Sequence, residues 1–208
     1  MKVYFVRHGE SEYNAKELFQ HGNVPLYEKG KKQAEFLAKR LSKIPIDLIV
    51  SSPHTRARET AEIISKKLKK KIVFCEFSGE KIMPEESIGK YAFSDEVNAI
   101  RKAMRENANN PDWHYSNEEN FTEFKSRVKK FFEYLNSLKE ENVLVVSHRG
   151  PIRMAILFMM FGNDDFAPEL YYKFINMFRL TNTGITVCEK EKTGHWNLWA
   201  FNDHSHIG

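Results

Sequence analysis

The 208-residue chain predicts an α/β fold, a three-layer α/β/α sandwich with a mainly parallel central sheet. Three apolar runs of strand length carry this reading, at residues 3–6, 48–50 and 143–146. Segments with apolar residues at helical spacing separate them. Strands alternating with helices are the pattern of crossover connections, which make neighbouring strands parallel.

Taken in order, residues 2–6 form the first strand. A helix follows over 28–41, where Ala34, Leu37, Ala38 and Leu41 recur on one face. Pro45 interrupts the chain before a strand at 47–50. Pro53 suits a helix start, and Ala57, Ala61, Ile64 and Leu68 mark the inner face of that helix. Residues 71–75 make a third strand. The stretch from about 76 to 120 is irregular, with Gly79, Pro84, Gly89, Pro111 and one helix near 95–106. It reads as an excursion over the sheet within a single domain spanning 1–208. The next helix turns Phe121, Phe124, Val128, Phe131, Phe132 and Leu135 inward. A strand at 143–147 leads into a nearly all-apolar helix at 152–161. The end is strand-rich, at 173–180, 185–189 and 196–201, with Asn182-Thr183-Gly184 as a turn.

Composition narrows the class. The net charge of +4 is mild, and no basic stripe with interleaved aromatics points to nucleic acid. The basic run from Lys66 to Lys71 reads as a solvated helix end. Two cysteines, Cys75 and Cys188, form no disulfide or metal framework and suit a reducing, cytoplasmic setting. The first residues enter a strand at once rather than forming a signal peptide. The longest apolar stretch, 154–161, is too short to span a bilayer. His204 and His206 read as part of a tail rather than as a metal site. Trp196 and Trp199 read as the core and rim of a strand.

The chemistry gathers at strand ends. Arg7-His8 follows the first run, Ser51-Ser52-Pro53-His54-Thr55-Arg56 the second, and Ser147-His148 the last. In an open parallel sheet, ligands bind in the crevice beyond the carboxyl ends of the strands. A neutral imidazole is a nucleophile, and a guanidinium is a planar fork matched to phosphate oxygens. Phosphoryl transfer needs an in-line nucleophile, cations around the equatorial oxygens and an acid for the leaving group. His8, Arg7, Arg56 and His148 meet the first two needs without metal or cofactor. A carboxyl group must meet the third.

Four blocks, in order, resemble the histidine phosphatase superfamily, the phosphoglycerate-mutase-like group. They are Arg7-His8-Gly9-Glu10-Ser11-Glu12-Tyr13-Asn14, the Gly22 to Gly30 block, Ser51 to Ala61 around Arg56, and Val145-Val146-Ser147-His148. The resemblance implies that His8 is the nucleophile that becomes phosphohistidine. It implies that Arg7, Arg56 and His148 bind the phosphoryl group and that Asn14 lines the same pocket. Glu80, four residues before Pro84, matches the spacing of a proton donor in one subgroup. Glu76 is the runner-up, with Glu85 and Glu86 behind it. The 76–120 insertion then covers the substrate. Arg149 stands where glycine is usual, and either adds a cation to the pocket or points to solvent. Asn23 stands where Asp is common and Tyr27 where Thr is common. His54 replaces a frequent Leu and is expected near the rim. Arg58 is expected on another helix face, and Glu119-Asn120 is either a site carboxylate or helix-start chemistry.

The implied activity is metal-independent hydrolysis of a small phosphorylated substrate. The same residues would serve a phosphoglycerate mutase, although the long insertion of that branch is absent. A non-catalytic phospho-ligand adaptor on this fold is the reading from another class, and the intact Arg7, His8, Arg56 and His148 argue against it. The sequence specifies neither the leaving group nor an oligomeric state.

Overall fold

A computed structural model describes residues 1–162 and 166–207. Six strands form one sheet: β1 (Lys2–Arg7), β2 (Leu48–Ser51), β3 (Ile72–Phe74), β4 (Asn142–Ser147), β5 (Ile185–Lys190) and β6 (Trp196–Asp203). Their spatial order is β3-β2-β4-β1-β5-β6. The first four in that row are mutually parallel, and β5 and β6 extend the sheet as an antiparallel pair. The sheet is therefore mixed and mostly parallel, as the alternating pattern predicts.

Alternate residues of the central strands feed two cores, as the pleat requires. Tyr4, Val6, Ile49, Leu144 and Val146 pack with Leu37, Leu41, Ala57, Ala61 and Ile64 of α2 (Glu28–Leu41) and α3 (Thr55–Leu68). Val3, Phe5, Val50, Val143 and Val145 pack on the other face with Phe124, Phe131, Leu135 and Phe158. Those come from α5 (Phe121–Ser137) and α6 (Arg149–Phe161). Strands buried on both faces read as continuous apolar runs, which is why the sequence exposes them so plainly.

One expected element is wrong. The stretch 173–180 is not a strand. It belongs to α7 (Pro168–Met177) and the turn after it. Pro168 takes a first-turn position, where its missing N–H costs nothing. Tyr171 and Phe174 then fall one turn apart and are buried in the core. Packing of these aromatics, not their β propensity, decides the outcome. A short helix also went unforeseen: α1 (Glu12–Ala15), closed by a reciprocal capping box between Ser11 and Asn14.

Segment 76–120 carries two single 3₁₀ turns, Glu76–Ser78 and Glu85–Ser87, and the helix α4 (Asp95–Glu106). It returns to the chain after α1 through the bridges Leu18↔Tyr91 and Phe19↔Ile88. Arg101 of α4 lies over the Phe19 ring, 5.0 Å from its centroid.

The first turn of α2 meets the loop after β1 backbone to backbone. A Cβ on Gly9 would lie 2.5 Å from the Gly30 carbonyl oxygen, and one on Gly30 would overlap the carbonyl oxygen of Glu10. Neither contact can relax by moving a flexible side chain. Gly30→Ala should therefore destabilise the protein by about 1–3 kcal/mol, read from urea unfolding, the range for overpacking a close contact. An unchanged midpoint would mean that this approach does not constrain the loop.

Candidate active site

Parallel strands end together, so their next residues are neighbours. Arg7 pairs with Ser147 across β1 and β4, and Ser51 pairs with Val146 across β2 and β4. The ladder continues one step further, with the His8 N–H donating to Ser147 O at 3.0 Å and the Ser52 N–H to Val146 O at 2.9 Å. His8, Ser52 and His148 thus meet at one end of the sheet. The His8 and His148 ring centroids are 5.0 Å apart.

His8 has a defined tautomer. Its Nδ1 donates to the Gly9 carbonyl at 2.7 Å, leaving the Nε2 lone pair to accept from Arg56 Nε at 3.1 Å. Arg56 Nη1 donates to His21 O at 2.8 Å. Thr60 fastens this assembly, accepting from the Gly9 N–H at 3.0 Å and donating to Arg56 O at 2.7 Å. Arg7 Nη1 donates to Leu180 O at 2.9 Å, while its Nε is buried without a partner. His148 accepts or donates at Nε2 with Ser52 Oγ, 2.8 Å away, and its buried Nδ1 has no partner.

Asn14 sits one layer behind His8. Asn182 Nδ2 donates both to His8 O at 2.9 Å and to Asn14 Oδ1 at 3.3 Å. Glu80 reaches the N-terminus of α6, where its Oε1 accepts from the Gly150 N–H at 3.0 Å and from the Lys81 N–H at 3.0 Å. A Cβ on Gly150 would lie 2.5 Å from that oxygen. A side chain at position 150 would therefore collide with the carboxylate. Glu76, Glu85 and Glu86 are exposed. Among the described residues no group of three or more His, Cys, Asp or Glu is placed to hold a metal ion. No helix among the described residues is long and apolar enough to cross a membrane.

A family model described as histidine phosphatase superfamily (branch 1) matches residues 3–204. The chain belongs to that superfamily. A probable phosphatase of Schizosaccharomyces pombe is 33% identical over 217 aligned residues, covering 100% of this chain and 95% of its own. An adenosylcobalamin/alpha-ribazole phosphatase of Escherichia coli is 30% identical, over 75% of this chain and 77% of its own. The phosphoserine phosphatase of Entamoeba histolytica, solved with 3-phosphoglyceric acid, superposes with a TM-score of 0.78 at 26% identity, over 100% of this chain and 99% of its own. This chain is a phosphomonoester hydrolase of that family.

Several residues around the candidate site escaped the sequence reading. Arg127, on α5, forms a two-pronged ion pair with Glu119, at 2.5 Å through Nε and 2.8 Å through Nη2. It also donates to the carbonyls of Phe77, Gly79 and Glu80. One partly buried fork thereby fixes the backbone that carries Glu80. Glu119 is spent on this clamp and on the Ile82 N–H, while Asn120 caps α5 in a box with Glu123. Ser52, which lies in the block after β2 and was given no role from the sequence, contacts His148. His54 lies deeper than the rim, its ring 4.9 Å from that of His148. Arg58 faces away and pairs loosely with Glu62. Arg149 is exposed, yet its charge still depresses Arg7. His206 is not a free tail residue, since its Nε2 lies 3.2 Å from Thr183 Oγ1. Trp199 is exposed and Trp196 packs on the core.

Electrostatics keep His8 neutral. Burial lowers its pKa well below the ordinary value, and the Arg56 and Arg7 charges lower it further. His148 is depressed in the same way, by burial and then Arg56. The titration midpoint of His8, followed by ring carbon shifts and assigned by loss in His8→Gln, should lie below 6.5. A midpoint at or above 6.5 would contradict this electrostatic account. The unfolded chain takes up these protons first as the pH falls. The stabilisation is therefore complete above 6.5 and declines below it.

Proposed function

We propose that the enzyme hydrolyses phosphomonoesters without metal, through a phosphohistidine at His8. One observation carries the reading. A neutral imidazole whose Nε2 lone pair faces the Arg56 guanidinium is surrounded by buried polar groups, two of which, Arg7 Nε and His148 Nδ1, have no partner among the described residues. Buried donors are rarely left unpaired, and a phosphoryl group supplies the acceptors they lack.

A phosphoryl oxygen is a better acceptor for Arg56 than a neutral ring nitrogen. Its binding frees Nε2 for attack. The Nε2–P bond forms as the bond from phosphorus to the leaving oxygen breaks, with Arg7, Arg56 and His148 holding the equatorial oxygens. Glu80 gives its proton to the leaving oxygen. Water then attacks phosphorus, Glu80 takes the water proton, the P–N bond breaks, and phosphate leaves. Asn14 supports the pocket through Asn182 and the His8 carbonyl. The 76–120 segment covers the substrate, a small phosphorylated molecule of the kind held by the Entamoeba relative. Two buried free thiols, Cys75 and Cys188, support a cytoplasmic setting.

In assays containing excess chelator, the wild type should release phosphate from an aryl phosphate to bulk water, without added bisphosphoglycerate. His8→Ala should fall by more than about a thousandfold, the scale of a lost nucleophile. A variant within about tenfold of wild type would remove His8 from that role.

Glu80→Gln should slow an alkyl phosphate more than an aryl phosphate, because a basic alkoxide depends more on its acid. An equal loss across leaving groups would assign the proton to another carboxylate.

A further inference from the structure

Helix α6 is buried from Pro151 to Met159, and every one of those positions but Arg153 is apolar. Arg153 is 7% exposed, and its buried Nε has no hydrogen-bond partner. Its guanidinium forms no ion pair among the described residues. Arg149 stands one turn earlier on the same helix face and likewise has no ion pair among the described residues. Burying a cation without a paired anion is costly, and the nearby Tyr171 and Glu80 offset only part of the penalty for Arg153.

The surroundings say where an anion would sit. Glu80 holds the Gly150 N–H, between the two arginines in sequence, so the pair flanks the proposed leaving-group acid. The Glu80 charge supports that of Arg153, but Oε1 is already spent on two backbone N–H groups. Arg153 is lowered to about 10 by burial and then by Arg149, while Tyr171 and Glu80 favour its charge and Arg179 opposes it. Arg7 in turn is lowered by burial, Arg149, Arg153 and Arg56. Arg101, on α4, is lowered by burial and then by Arg149. Three elements, α4, α6 and α7, thus bring cations and one buried phenol to a region beside the phosphate pocket.

We propose that Arg153 and Arg149, with Tyr171, form a second anion subsite, which selects phosphomonoesters carrying a carboxylate or a second phosphate on the leaving-group side. The proposal rests on the assignment of Glu80 as the leaving-group acid. A planar guanidinium fork accepts either anion bidentately. A second negative charge would also offset the mutual repulsion of Arg149, Arg153 and Arg7, repulsion that a neutral leaving group leaves in place.

The test separates binding from turnover. Titration calorimetry of His8→Ala compares glycerol 3-phosphate, 3-phosphoglycerate and propane-1,3-diol bisphosphate. The first carries an uncharged remainder, the second a carboxylate and the third another phosphate. At least one of the two doubly anionic ligands should bind about tenfold or more tighter than glycerol 3-phosphate, and which one identifies the anion. In His8→Ala/Arg153→Met the preference should shrink to within about twofold. Equal binding of all three ligands, or a preference that survives loss of Arg153, would overturn the subsite. Should the Met variant fail to fold by circular dichroism, Arg153→Lys replaces the fork with a point charge. The preference should then fall at least about threefold, and an unchanged preference would again overturn the proposal. Wild-type turnover of the same ligands is scored separately. Selective binding without any phosphate release would sink the phosphatase mechanism and leave the subsite standing.

Discussion

The register between β1 and β4 is the constraint on which the site depends. Pairing Arg7 with Ser147 makes the residues that follow, His8 and His148, neighbours at the sheet end. A slip of one residue would exchange the two faces of a strand. Val3 and Phe5 would leave the core that holds Phe124, and Tyr4 and Val6 would leave the core that holds Leu37. The apolar cores on both faces therefore hold the histidines at a ring separation of 5.0 Å. Packing far from the chemistry does the positioning.

The same geometry crowds like charges. Arg7 and Arg56 are almost fully buried, and burial depresses both, Arg56 to about 10. Glu80 is the group that favours the charged form of each. Its carboxyl group, set at the N-terminus of α6 by Arg127 and Gly150, is thus the proposed proton donor when protonated and a counter-charge within the cluster when ionised. The cationic surplus serves the proposed chemistry in two ways. It keeps His8 unprotonated and nucleophilic, and it provides donors for a dianionic phosphoryl group.

Much of this was legible in the sequence, for physical reasons. Strands buried on both faces cannot tolerate polar residues, so β1, β2 and β4 stand out as apolar runs. A binding crevice at their carboxyl ends then points to Arg7, His8, Arg56 and His148. What stayed hidden depends on contacts distant in sequence. Arg127 looks like an ordinary charge on an amphipathic helix until its fork meets the carbonyls of Phe77, Gly79 and Glu80. The 173–180 stretch carries aromatics that fit a strand or a buried helix, and only Pro168, with Tyr171 and Phe174 at helical spacing, favours the helix. Arg153 did leave a signal, the lone charge in the otherwise apolar stretch 151–161 of α6.

The central claim is covalent: phosphorus is bonded to Nε2 of His8 during turnover. Rapid quenching of the wild type with an aryl phosphate under alkaline conditions, followed by peptide mass spectrometry and phosphorus NMR, reads this directly. The account predicts an acid-labile phosphoryl group on the peptide containing His8, attached at Nε2, because Nδ1 is committed to the Gly9 carbonyl. Phosphate on His148, attachment at Nδ1, or full turnover with no phosphoenzyme at any quench time would contradict it.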